Sequence, residues 1–266
     1  MFKDFCKKSI VLFIILILCS AKCIAKEKTF ASLAPSITEI IYKLGAEDSL
    51  VAVSTECNYP KETKKKEVIG NTYFLDKEKL IKLAPNYLLT VEGAQFANYR
   101  NMPKQNSIKP ICYTMDSVNA VYETILSIGE LTNKRREAIE IVREIASEAD
   151  NIKSKTPRKI LYLIQINPII TIGNKSYISD VIRKSGQENV TDEIDAFYPV
   201  VTNEYIIKTK PDIIIVSDKT GYKKLERLFP HARIIYLTED ENSKINRPGP
   251  RINESIKFFA NIDERG

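Results

Sequence analysis

The sequence predicts an α/β protein of two lobes, each built on a central parallel sheet, joined by one long helix. Three observations predict it. Short apolar strands alternate with amphipathic helices along most of the chain, the signature of a largely parallel sheet. A segment recurs at an offset of 126 residues: Asp76–Val91 (DKEKLIKLAPNYLLTV) matches Thr202–Ser217 (TNEYIIKTKPDIIIVS). Between the two copies, Glu130–Asn151 contains neither Pro nor Gly. At 266 residues the chain suits about two domains and can bury a sizeable core.

Taken in order, residues 28–33 (KTFASL) read as a strand. Pro35-Ser36 opens a helix, with Ser36 and Glu39 spaced as a capping box, that stops at Gly45. Leu50–Ser54 and Lys66–Ile69 are strands, and Asp76–Leu83 is a helix ended by Pro85. Tyr87–Val91 and Lys109–Tyr113 complete the first sheet, and a helix follows from about Asp116 to Ile128. Ala138, Ile141, Val142, Ile145 and Ala149 then mark one apolar face of a single helix of roughly six turns over Glu130–Asn151. The second half reads as strands at Lys159–Gln165, Ile169–Ile172, Ile213–Val216 and Arg233–Tyr236. Its helices are Ser176–Ser185, Glu204–Thr209, Gly221–Leu228 and a closing one from Pro250-Arg251 to Ala260. The domain reading is a signal peptide over 1–25, an N-terminal lobe over 26–129, a linking helix over 130–156 and a C-terminal lobe over 157–266.

The leader rests on Lys3, Lys7 and Lys8, the apolar run Ile10–Leu18, and a small-residue cleavage site ending at Ala25. The run is short for a spanning helix, so the expectation is export to the periplasm; a retained membrane anchor is the alternative. Removing 1–25 takes half of the +6 formal charge, which leaves too small a bias for nucleic acid. Cys57 and Cys112 stay in the mature chain, either bonded, as an exported compartment permits, or as two buried thiols.

Enzyme signals are weak. The chain has one His and lacks a GxSxG elbow, a P-loop or a GxGxxG. The reading is therefore of a binding protein without catalytic residues, metal or cofactor, and a monomer. An exported α/β enzyme and a scaffold turned to a structural role are the alternatives.

A cleft between two lobes is the default ligand site, beyond the carboxyl ends of the strands. The loops there carry Tyr59, Tyr73, Tyr99, Asn167 and Tyr198. Tyrosine offers a flat apolar face and one hydroxyl, which suits a wide planar or macrocyclic ligand. Arg247 and Arg251 in NRPGPRI (246–252) either reach an anionic group of the ligand or pair with the other lobe. The repeat places Glu78 and Glu204 in the first turn of equivalent helices, capped by Asp76 and Thr202. They are either ordinary helix-start residues or two acidic docking points, one per lobe, for basic sites on a partner.

These residues resemble the periplasmic binding proteins that serve importers of cobalamin, haem and iron–siderophores. The likeness runs over about 28–260. Ser32–Glu39, Leu44-Gly45, Val53-Ser54 and Tyr59-Pro60 resemble the family's opening. Glu78 with Leu83–Asn86, and Glu204 with Lys210–Asp212, resemble its two docking segments. Asn167-Pro168, Thr171 and Gly173 resemble the vitamin B12-binding branch, and Pro250–Ile252 the entry to the last helix. The resemblance implies two Rossmann-like lobes in a class III periplasmic-binding-protein arrangement. It also implies a cobalamin, haem or ferric siderophore ligand, and delivery to an inner-membrane ABC permease with its ATPase, whose arginines would meet Glu78 and Glu204. Three features depart from the pattern: Asn86 replaces an aspartate, Glu56 stands where the B12 branch favours an aromatic, and the chain has no Trp.

Overall fold

A computed structural model describes residues 28–71, 74–93, 107–217 and 222–264. The leader therefore lies outside the described residues, as do Tyr73 and Tyr99.

The first sheet contains β1 (Phe30–Ser32), β2 (Leu50–Val53), β3 (Glu67–Val68), β4 (Tyr87–Val91) and β5 (Lys109–Tyr113), in the order β3-β2-β1-β4-β5 with every pairing parallel. Helices α1 (Pro35–Lys43), α2 (Lys77–Leu83) and α3 (Val118–Leu131) belong to this half, and α4 (Arg135–Asn151) leads out of it. In the second half come β6 (Lys159–Ile166), β7 (Ile169–Thr171), α5 (Tyr177–Lys184), β8 (Glu188–Asn189), α6 (Asn203–Thr209) and β9 (Ile213–Val216). They are followed by α7 (Tyr222–Leu228), β10 (Arg233–Tyr236), α8 (Glu239–Ile245) and α9 (Ile252–Ala260). This sheet runs β10-β9-β6-β7, with β8 also on β6; its pairings are parallel except the β6–β7 hairpin.

Strand alternation sorts the core. Phe30, Leu89, Tyr162, Ile213 and Ile215 face inward to one apolar cluster, whereas their neighbours Ala31, Leu88, Leu161, Leu163 and Ile214 face two outer clusters. Helices α3, α4, α5 and α9 fill the layer between the sheets, and the inner cluster runs through them from one half to the other. Polar ties cross the same layer. The Val118 amide donates to Asp180 at 2.8 Å, and Asn253 donates to Glu148 at 2.6 Å. Lys257 also pairs with Glu148, and this bond, with help from Asn253, holds the Glu148 carboxyl below the ordinary carboxylate pKa.

The recurrence in the sequence is a recurrence in structure. Asp76 accepts from the Lys79 amide at 2.9 Å and Thr202 from the Tyr205 amide at 3.2 Å, so both helices carry the expected caps. Both end on a left-handed residue, Ala84 and Lys210. Past the proline, the Asn86 side chain accepts from the Thr29 amide and that of Asp212 from the Lys159 amide, each at 2.8 Å. The carbonyls of Asn86 and Asp212 accept from Lys109 and Arg233, each at 2.9 Å. One residue thus binds two neighbouring strands at the start of each sheet. Asn86 keeps the acceptor oxygen that this role needs, which accounts for the missing aspartate.

Three expectations change. The helix expected over Glu130–Asn151 is interrupted at Thr132–Lys134; α3 ends at Leu131 and α4 starts at Arg135. Asn133 takes φ +58°, a turn that asparagine tolerates and periodicity does not reveal. The capping box expected at Ser36 and Glu39 does not form, because Pro35 already occupies the first turn and Ala34 is the cap position. A reciprocal box forms instead between Thr238 and Glu241 at the start of α8, a helix absent from the sequence reading along with β8. Finally, Cys57 and Cys112 are not bonded to each other, and Cys57 is buried whereas Cys112 is half-buried.

Candidate functional site

The carboxylate of Glu39 anchors the junction between the halves. Its side chain, 2 % exposed, would be costly to bury alone. Arg251 answers it with a two-pronged bond, Nε to Oε2 at 2.8 Å and Nη2 to Oε1 at 2.7 Å. Arg247 adds a longer contact at 3.4 Å and donates to the Asn58 side chain at 2.8 Å and to the Glu56 carbonyl at 3.4 Å. Burial alone would lower the Arg251 pKa; the hydrogen bond and charge of Glu39 outweigh it and raise the value. The motif at 246–252 therefore fastens the second half to α1 and to the loop after β2. Both arginines, expected to contact ligand or to pair across the lobes, make the pairing in this structure.

That fastening reaches an aromatic. The Arg251 guanidinium lies 4.2 Å from the centre of the Tyr59 ring, within cation–π range. Tyr59 is 46 % exposed and precedes a cis proline, Pro60. Beside it lies an open groove of about 430 Å³ lined by Tyr42, Tyr59, Glu144, Glu148, Asn253 and Lys257, among others. The Arg247 segment is itself held from below. The fully buried Tyr162 donates to Asn246 at 3.2 Å, and Asn246 donates to the Asn242 carbonyl at 3.0 Å. Burial pushes the Tyr162 phenol well above its ordinary pKa, with small opposing effects from Asn246 and Ser217.

Two further aromatic loops, one after β3 and one alongside the antiparallel β7, are each fixed by a glycine. In the first half, Gly70 has φ +135°, and a Cβ there would lie 2.1 Å from the Phe74 carbonyl. The Asn71 amide donates to that carbonyl and the Phe74 amide to the Asn71 side chain, both at 2.7 Å, so Phe74 projects 66 % exposed. In the second half, a Cβ on Gly173 would lie 2.2 Å from the Ala196 carbonyl. The Gly173 amide donates to the Phe197 carbonyl and the Thr171 amide to the Pro199 carbonyl, each at 3.0 Å. Phe197 and Tyr198 emerge there, their ring centres 6.4 Å apart, with Tyr198 59 % exposed. Shielding of its hydroxyl end raises the Tyr198 pKa, against a smaller lowering from Ser176. Asn167 is exposed at the β6–β7 turn, in a cis bond to Pro168, and its carbonyl accepts from Gln165 at 2.7 Å.

Phe74 and Phe197 were not singled out by sequence reasoning. Both lie in the loops it chose, and the glycine that fixes each loop was the available signal. Glu39 was seen only as a helix-start residue; its partner is 212 positions away, beyond any local pattern. Glu78 and Glu204 are both exposed. Hydrogen bonds from its own amide and from Thr202 place the Glu204 carboxyl below the ordinary range.

Comparison with known proteins agrees with this geometry. A sequence profile described as "Periplasmic binding protein" matches residues 30–230. The vitamin B12-binding protein of Vibrio parahaemolyticus is 29 % identical over 235 residues, covering 85 % of each chain. A solved structure from Staphylococcus epidermidis, described as a possible iron-binding (periplasmic solute-binding) protein, is 29 % identical with a TM-score of 0.76, covering 91 % of this chain and 100 % of that one. The periplasmic heme-binding protein HutB of Vibrio cholerae shares the fold at 18 % identity and a TM-score of 0.75, covering 89 % and 99 %. With two matching α/β halves, a cross-lobe junction and a profile match over most of its length, the chain belongs to the periplasmic binding protein family, whose members are non-catalytic, solute-binding subunits of ABC importers.

Proposed function

We propose that this subunit captures cobalamin or a related large metal chelate between its lobes. In this reading it hands the cargo to an inner-membrane permease powered by a separate ATPase. The observation that carries the reading is the set of large apolar rings left in solvent, Phe74 in the loop after β3 and Phe197 with Tyr198 in the loop alongside β7. Such rings cost free energy in water, about 25 cal/mol per Å² of apolar surface, and fit a broad, flat or macrocyclic ligand. The vitamin B12-binding relative supports the corrinoid within that class. Tyr59, Tyr198 and Asn167 remain the proposed ligand contacts on described residues, joined by Phe74 and Phe197; Tyr73 and Tyr99 are proposed from the sequence.

Haem is the second reading, favoured by the fold shared with a heme-binding protein. It is less well supplied with iron ligands. The single His, His231, lies in the loop that enters β10 at its amino end.

Glu78 and Glu204, one exposed at the head of each matching helix, are the proposed contacts with basic groups of the permease.

Equilibrium titration with cyanocobalamin, hemin and ferrichrome tests the ligand. Submicromolar binding of cyanocobalamin alone is expected. Preference for hemin or ferrichrome would transfer the assignment to the alternative, and failure of all three would overturn the function.

A further inference from the structure

The docking helices repeat more than their glutamates. On α2 the exposed residues include Glu78, Ile81 and Lys82; on α6 they include Glu204, Ile207 and Lys208. The pattern Glu-x-x-Ile-Lys is thus the same on both, and the residue inside it, Leu80 or Ile206, is fully buried in the outer cluster of its own half. Each helix therefore faces the same way, and each sets an isoleucine in water one turn after the glutamate. Ile81 is 45 % and Ile207 57 % exposed.

A single exposed isoleucine is ordinary. The same one at the same place in both halves, between the same acid and base, is not explained by the fold. β-branched residues are not favoured in helices, and neither side chain adds to the core beneath. Both helices run back from the carboxyl edge of their sheet, since each follows one strand and precedes the next parallel one. Each patch therefore starts at the carboxyl edge of its own sheet.

We infer that each lobe docks through a composite patch in which the isoleucine is the anchor and the glutamate the guide. The partner is the outward face of the permease, offering two like sites, each an apolar recess beside a basic group that complements Glu78 or Glu204. This rests on the docking role proposed above for the glutamates. Apolar anchors in desolvated pockets govern how long a complex lasts, and exposed charges govern how fast it forms and how salt weakens it.

The test measures association and dissociation of the full protein with the permease–ATPase complex of its own cell, held in lipid nanodiscs, at low and high salt. Ile81→Ser and Ile207→Ser should each speed dissociation about tenfold, together about a hundredfold, at both salts. Ile81→Leu with Ile207→Leu should restore the slow rate. Glu78→Gln with Glu204→Gln should slow association and flatten its salt dependence. All the variants should keep the wild-type melting temperature, because the changed side chains lie on the surface. Unchanged dissociation in the serine variants, with docking abolished by Glu78→Lys and Glu204→Lys, would overturn the anchor and leave the acidic docking points standing. Docking indifferent to every one of these changes would overturn both.

Discussion

Glu39 and Arg251, 212 residues apart, share two hydrogen bonds of 2.7 and 2.8 Å in a nearly dry junction between the two halves of the protein. The pair closes the chain on itself, joining α1 to the residue that precedes α9.

Breaking this pair from one side should be expensive. Glu39→Gln leaves the Arg251 charge nearly buried without its partner, and Arg251→Met leaves Glu39 only the longer contact with Arg247, each at about 3–5 kcal/mol. Replacing both with methionine should cost less than the sum of the single changes. Urea denaturation of the two singles and the double, read as a mutant cycle, checks this. Additive costs would show that the two side chains act independently.

Ligand affinity should depend on Tyr198 more than on Tyr59. One face of the Tyr59 ring is already covered by the Arg251 guanidinium, whereas Tyr198, beside Phe197, keeps most of its surface exposed. Tyr198→Ala should weaken cyanocobalamin binding by about tenfold or more, as the loss of a large apolar contact implies. Tyr59→Ala should weaken it less while lowering the melting temperature, since the arginine loses its platform. Calorimetric titration and thermal melts together separate the two effects.

Gly173→Ala should distort the second aromatic loop. The added methyl meets the Ala196 carbonyl at 2.2 Å, and that backbone has to move. A cost of about 1–3 kcal/mol is expected for such overpacking, with a parallel loss of cyanocobalamin affinity because Phe197 and Tyr198 shift with it. Wild-type affinity in a folded Gly173→Ala protein would uncouple the loop from the ligand.

Alkaline pH should destabilise the protein through Tyr162. Its folded pKa is raised by burial, so the folded state holds the phenolic proton more tightly than the unfolded state does. The resulting stability is complete below about pH 10, the ordinary tyrosine pKa, and is lost as pH rises beyond it. Chemical denaturation at neutral pH and above pH 10 should show this fall, and Tyr162→Phe should shrink it. An equal fall in the Phe variant would assign the effect to other groups.

Asn86→Asp should be close to neutral, and Asn86→Ala should cost about 1 kcal/mol for the lost hydrogen bond. The reason is Asp212, which makes the same strand contacts in the other half. A clear destabilisation by Asp, measured in urea, would mean that the two sites differ in surroundings as well as in residue.

Most of the architecture was legible because it is written in local signals. The strand Ile213–Val216 is an unbroken apolar run, and the capped helices stop at prolines, so their bounds follow from the residues themselves. The break at Asn133 was missed because no Gly or Pro falls within it and the apolar face continues beyond it. Helix α8 was missed for the opposite reason: its cap was present, but Ile245 is its one buried residue, too little to make a periodic face. At the site, the aromatic loops were legible and the junction was half legible. The sequence marked Arg247 and Arg251, but it gave no sign of which carboxylate they would meet.

The apolar cluster that runs unbroken from one sheet to the other through α3, α4, α5 and α9 bears on how cargo leaves. Prying the halves apart would wet that oily layer, so spontaneous breathing is a poor release mechanism. A grip of this kind lets go when something outside pulls. In the delivery proposed above, the work of unloading then falls to the membrane machinery, and the carrier itself needs no spring.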